Sequence, residues 1–132
     1  MNNIKVFDNI RPEVKSVISV FIDSNYGTAK DYKGKEKIIE DALIRSNIIS
    51  AYKGDELVGF IRYLTDFFYV THIVEFALKK QYQNIDLSKE MLRLLCKEVG
   101  KTKISINTDA KLITFLEQNG FVKNNYICMN FN

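Results

Sequence analysis

The feature that most constrains this chain is a change of hydrophobic period at residue 48. Before it, apolar residues recur every three or four positions. Val14, Val17, Ile18 and Phe21 share one helical face, and Ile38, Ile39, Ala42 and Leu43 share another. From Ile48 onward the sequence turns aromatic and β-branched. Residues 48–52 and 57–64 read as strands joined by a hairpin turn at Lys53-Gly54-Asp55-Glu56, and residues 68–78 read as a third strand. Helical spacing returns with Leu87, Met91, Leu94 and Leu95 and stops at Gly100, a natural C-terminal cap.

The remaining elements follow from local chemistry. Residues 3–8 suit a short first strand. Pro12 falls where a helix begins, because its missing N–H would have no partner there. Residues 25–35 are polar and read as a flexible connection. Residues 103–106 suit a short strand, and Asp109 is placed to cap a helix that ends at Asn119-Gly120 in a left-handed residue. Residues 121–131 read as closing strands. The predicted order is β-α-α-β-β-β-α-β-α-β. Hairpins come first and crossover helices later, so the expected fold is α/β (α+β): a mixed, mostly antiparallel central sheet with helices on both faces.

Length and composition set the limits. The 132 residues suit a single domain spanning 1–132, large enough to bury a core without a metal or disulfide staple. One proline and six scattered glycines mark no linker. No apolar run nears the roughly 20 residues that cross a bilayer, and Met1-Asn2-Asn3-Ile4-Lys5 has no leader-like apolar stretch, so a cytoplasmic location is expected. Cys96 and Cys128 form no CxxC pattern, and with one histidine in the chain a zinc site would lack ligands. Cys96 sits among apolar helical residues and is expected to be a buried, inert thiol. The balance of 19 Lys+Arg against 16 Asp+Glu, a net +3, suits an anionic cofactor but is too small to point to nucleic acid.

Three runs carry a family resemblance. IISAYKGDELVGFIRYLTD resembles the hairpin of the GNAT superfamily of acetyl-coenzyme A dependent N-acetyltransferases. IVEFALKKQYQNIDLSKEML is similar to that family's fourth strand, pyrophosphate loop and central helix. DAKLITFLEQNGF is similar to its late helix ending in Gly-Phe. The resemblance implies acetyl-CoA as cofactor, a small-molecule or peptide amine as acceptor, and no nucleic-acid or membrane partner.

The resemblance also implies a site. The family's pyrophosphate sits on backbone N–H groups after a loop of the form Gln/Arg-x-x-Gly-x-Gly/Ala, where a helix N-terminus offers free donors and a favourable dipole. Here that loop is Gln83-Asn84-Ile85-Asp86-Leu87-Ser88, followed by Lys89. The glutamine matches, and Ser88 is small with a hydroxyl able to bond a phosphate oxygen. Asp86 departs from the pattern, since a carboxylate beside a pyrophosphate repels it; the alternative is that Asp86 simply caps the helix. Main-chain groups of Phe76, Ala77 and Leu78 match the strand that holds the pantetheine arm. Lys79, Lys80 and Lys89 are positioned either to offset charge or to form a solvated face.

Acetyl transfer to an amine needs a base for the ammonium proton and an acid for the leaving thiolate. Glu75 takes the place of an acidic residue that faces the acceptor cleft in relatives. Partial desolvation by Phe67, Phe68 and Tyr69 would make it a better base, and pairing with a lysine is the structural alternative. The tyrosine that many relatives use as acid falls at Leu116, which has no proton to give, so Tyr126 on the closing strand is the remaining candidate. His72 is expected to face away from Glu75 and to be structural. The aromatics at residues 67–69 suit core packing, an acceptor pocket or a homodimer contact. Two functions remain open: an active N-acetyltransferase, or a catalytically silent GNAT-like domain that binds a ligand or partner protein. Fold alone does not choose between them.

Overall fold

The computed structural model describes residues 3–131. Its strands form one five-stranded sheet in sequence order. Strands β1 (Ile4–Phe7), β2 (Asn47–Lys53), β3 (Glu56–Thr65) and β4 (Val70–Leu78) are antiparallel neighbours, and β5 (Lys103–Ile106) runs parallel to β4. Tight turns produce the antiparallel part. Gly54 joins β2 to β3 at φ 60°, a conformation open to glycine at little cost. Between β3 and β4, Asp66 Oδ1 accepts from the N–H groups of Phe68, Tyr69 and Val70 at 2.9, 2.7 and 3.1 Å. The parallel pair needs a longer crossover, and helix α4 (Ile85–Val99) supplies it.

Helices α1 (Val14–Asp23), α2 (Ala29–Tyr32) and α3 (Glu36–Ile44) precede β2, and α5 (Ala110–Gln118) follows β5. The sheet is apolar on both faces, which places helices on both. On one side Leu87, Met91 and Leu95 of α4 pack on Ile49, Val58, Ile61, Ile73 and Phe76. On the other, Val17, Val20 and Leu43 cover Ile48, Leu57, Phe60 and Ala77. Burying each such aliphatic or aromatic side chain contributes about 1.5–3 kcal/mol. The glycine of the LVGF run has a packing reason. A Cβ on Gly59 would lie 2.2 Å from Leu78 Cδ2, so only glycine lets Leu78 lie across β3.

One irregularity shapes everything downstream. Arg62 pairs with Glu75 but Tyr63 pairs with Ile73, so Val74 is an unmatched bulge residue in β4. The bulge lets Ile73 and Phe76 enter the same core although three positions separate them. Strand β5 pairs with β4 only over Val70–Ile73, so the two strands part at the bulge.

The architecture matches the expected mixed sheet, with local corrections. Residues 121–131 form no strand; Val122, Tyr126, Ile127, Met129 and Phe131 are each between 86% and 101% exposed. Lys123-Asn124-Asn125 interrupts the apolar alternation with residues that strands disfavour. The segment expected to be a flexible connection contains α2, started by a capping box in which Thr28 and Asp31 bond reciprocally. Pro12 lies just before the N-cap Glu13 of α1, outside the helix. Gly100 does cap α4 but stays right-handed, at φ −63° and ψ −13°, while Gly120 takes the expected left-handed φ of 95°. Cys96 is exposed on α4 rather than buried. Partial enclosure nonetheless pushes its thiol above its usual pKa, which disfavours the reactive thiolate.

No helix among the described residues is long and apolar enough to cross a membrane. No cluster of three or more His, Cys, Asp or Glu residues able to hold a metal occurs among them.

Candidate active site

Where β4 and β5 part, a cavity of about 420 Å³ opens between them. Val74, Phe76, Ala77 and Leu78 of β4 line its floor. Asn84, Ile85 and Ser88 of the first α4 turn form one wall. Thr108, Lys111, Leu112 and Phe115 form the opposite wall, and Ser24, Asn25 and Tyr26 close over the top.

The floor is an unpaired strand edge. Lys79 N–H donates inward to Val58 O of β3 at 2.9 Å, so by strand alternation Leu78 and Phe76 turn their backbone groups outward. Two side chains meet the outward carbonyls. Tyr26 Oη donates to Phe76 O at 3.3 Å, and Gln83 Nε2 donates to Leu78 O at 2.9 Å. No strand takes this place among the described residues.

The helix start follows from its cap. Asn84, in extended conformation, accepts from Leu87 N–H on its side-chain oxygen at 2.8 Å. Asn84 therefore caps α4, which corrects the alternative that Asp86 does so. The backbone N–H groups of Ile85 and Asp86 have no acceptor among the described residues, so the dipole and two free donors of the helix end beside the cavity. Ser88, 7% exposed, lines the cavity one turn in. Asp86 and Lys89 are exposed and do not line it, and Leu87 is fully buried in the core. Ten loop and strand positions were expected to hold a cofactor (76–78 and 83–89). Seven of them line this one cavity: Phe76, Ala77, Leu78, Gln83, Asn84, Ile85 and Ser88. Lys79 is committed elsewhere, bonding Glu56 at 3.1 Å.

Glu75 has a different setting from the one expected. Its oxygens accept from Arg62 Nε and Nη2 at 2.5 and 2.6 Å, a two-point pair between cross-strand neighbours. Both side chains are less than a fifth exposed, at 15% and 18%. Phe67, Phe68 and Tyr69 do not desolvate it. They occupy the exposed β3–β4 hairpin end, six or more residues away, which is about 20 Å of extended chain. They do not pack in the core either, since Phe68 is 90% exposed. The bulge at Val74 also corrects the placement of His72. It puts His72 on the same face of β4 as Glu75, where its ring bonds Ser105 Oγ at 3.0 Å.

Tyr126 lies elsewhere. It borders a separate hollow with His72, Lys103 and Ser105, and the structure does not bring it to Glu75. Leu116, at the position of the family tyrosine, is a buried core residue. Sequence reasoning missed Tyr26. Its phenol pKa is raised, chiefly by burial, with smaller upward effects from Asp109 and Glu75 and an opposing one from its contact with Phe76. One of two tyrosines in the polar run 25–35, next to Gly27 and a Thr-x-x-Asp capping box, was the signal available.

A sheet whose last two strands part beside a helix N-terminus defines a class of protein: an α/β domain with a strand edge and free backbone donors bordering one cavity. The family described as Acetyltransferase (GNAT) domain matches residues 28–129, and the chain belongs to that family. No curated protein matches it. Solved structures share its fold. A Staphylococcus aureus protein of unknown function is 20% identical at a TM-score of 0.79, with 98% of each chain covered. A GNAT-family acetyltransferase from Streptococcus pneumoniae is 18% identical at a TM-score of 0.78, covering 98% of this chain and 99% of its own. The PaiA N-acetyltransferase of Thermoplasma acidophilum, solved with coenzyme A, is 16% identical at a TM-score of 0.72, covering 94% and 92%. GNAT acetyltransferases use acetyl-CoA as donor. The residues present fit that group, because an unpaired strand edge, the free Ile85 amide at the helix start and the Ser88 hydroxyl border one cavity.

Proposed function

We propose that this protein transfers an acetyl group from acetyl-CoA to a primary amine of a small molecule or peptide. The observation that carries this reading is the meeting of the outward β4 edge with the start of α4, including the free Ile85 amide, in a single cavity. When bound, the cofactor supplies an activated thioester. The chain's own residues supply position and electrostatics. Backbone groups of Phe76 and Leu78 take an extended arm, and Ala77 turns its side chain away into the opposite core. The free amide of Ile85 and the Ser88 hydroxyl face the phosphates. Glu75, held in one orientation by Arg62, receives the acceptor amine's proton through water.

A specific observation favours a second reading, a silent ligand-binding domain. Leu116 has no proton to donate, and the Glu75 carboxylate is already engaged by Arg62. One experiment separates the two. Acetyl-CoA at about 100 times its Kd stabilises the folded state by about 2.7 kcal/mol, and an elevated Tm is the expected result. Thiol release from acetyl-CoA over a panel of polyamines, amino acids and peptides then marks the enzyme. A raised Tm with no thiol release on any amine marks a silent domain that binds the cofactor, and no Tm shift at millimolar acetyl-CoA overturns the enzyme and favours a silent domain for another ligand or a partner protein.

A further inference from the structure

We infer that Tyr26 is a displaceable cap on the cofactor site: its hydroxyl holds the outward carbonyl of Phe76 in the free protein and yields it to an extended ligand. The inference rests on the cavity being the cofactor site.

The loop that carries Tyr26 is tightly specified. Asn25 turns left-handed at φ 66°, and Tyr26 N–H returns to Phe21 O at 2.8 Å. Tyr32 Oη donates to Tyr26 O at 2.7 Å, with its ring stacked 5.4 Å from that of Phe21. Gly27 leaves no space for another residue, since a Cβ there would stand 2.6 Å from Tyr32 Oη. The Tyr26 ring leans on Phe21 at 5.7 Å.

The hydroxyl itself is held weakly. Its 3.3 Å contact to Phe76 O exceeds the usual range of about 2.5–3.0 Å for such bonds, and the residue is 48% exposed. A firm loop with a weak tip suits a displaceable cap. The tip satisfies a strand-edge carbonyl that would otherwise depend on solvent. An incoming amide N–H pairing along β4 needs that same carbonyl, so the two compete. Gln83 caps the next outward carbonyl in the same way, but at 2.9 Å.

The test is the affinity of coenzyme A for the full chain and for Tyr26→Phe, measured by calorimetry, with the Tm of each free protein. Phenylalanine keeps the ring against Phe21 and removes only the competing donor. The expected result is coenzyme A binding tightened by roughly two- to tenfold, the worth of one uncharged hydrogen bond, with the free protein's Tm unchanged or slightly lower. A merely structural tyrosine would lower Tm and weaken binding together. Unchanged or weaker affinity in Tyr26→Phe, with coenzyme A still binding the unaltered chain, overturns the role of Tyr26 and leaves the proposed function standing. If coenzyme A binds neither protein, both fall.

Discussion

The pair formed by Arg62 and Glu75 sets the chemistry available at the scale of single residues. Both charges are largely withdrawn from water, so each depends on the other. Replacing Arg62 by methionine leaves the carboxylate unpaired, and a loss of about 2–4 kcal/mol is expected in urea unfolding. Adding Glu75→Gln to that variant should recover much of it, because no charge then remains buried. Glu75→Gln alone also leaves Arg62 without its charge partner, so its effect on catalysis is read beside ligand affinity. It should cut acetyl transfer at least tenfold while coenzyme A affinity stays within about twofold, a split that kcat and a binding titration read directly.

The same pair shows where sequence reasoning reached and where it stopped. The strand position of Glu75 was legible from alternation, but its partner was not. Arg62 lies thirteen residues away, and only the register across the hairpin brings the two together. Nor was the bulge at Val74 legible. It leaves no mark in the local hydrophobic pattern, yet it reverses the expected face of His72 and ends the β4–β5 pairing.

Among the elements, α4 brings its N-terminus to the site, and its first turn separates two effects. Asn84→Ala removes the cap, and a cost of about 1 kcal/mol in stability is expected, with weaker coenzyme A binding as the turn frays. Asp86→Asn tests the departure from the family loop. Because Asp86 is exposed and outside the cavity, screening should hold the gain in coenzyme A affinity below about threefold at physiological salt, as read by calorimetry. The helices and strands were mostly legible, since period and turn chemistry set them locally. Strands at 121–131 were not, because aromatic and β-branched residues mark a strand only where a neighbour offers a ladder. The helix α2 was written in its Thr28–Asp31 capping box but overlooked in a polar run.

Seen as one molecule, the sheet holds two cores apart and leaves their boundary, the parted end of β4, open to ligand. The backbone portion of the candidate site was therefore readable from strand and loop order. The Tyr26 cap was not, because it depends on a loop folding back over a strand fifty residues later. Stability at high pH reports on the core as a whole. Tyr63 is 2% exposed, and burial, with lesser effects from Glu98 and Asp8, pushes its phenol up to about 12. The folded state thus keeps a proton that the unfolded chain loses near 10. The contribution of Tyr63 to stability is whole below pH 10 and disappears as pH climbs toward 12. Chemical unfolding between these values should show that decline, and Tyr63→Phe should flatten it.

The central claim is that the parted edge of β4 and the start of α4 form one cofactor site. Amide NMR of the labelled protein, titrated with coenzyme A, tests it most directly. Saturable shifts are expected at Phe76, Leu78 and Ile85 through Ser88, with the amide of Tyr126 unmoved. Shifts confined to residues 121–131, or none at millimolar coenzyme A, would contradict it.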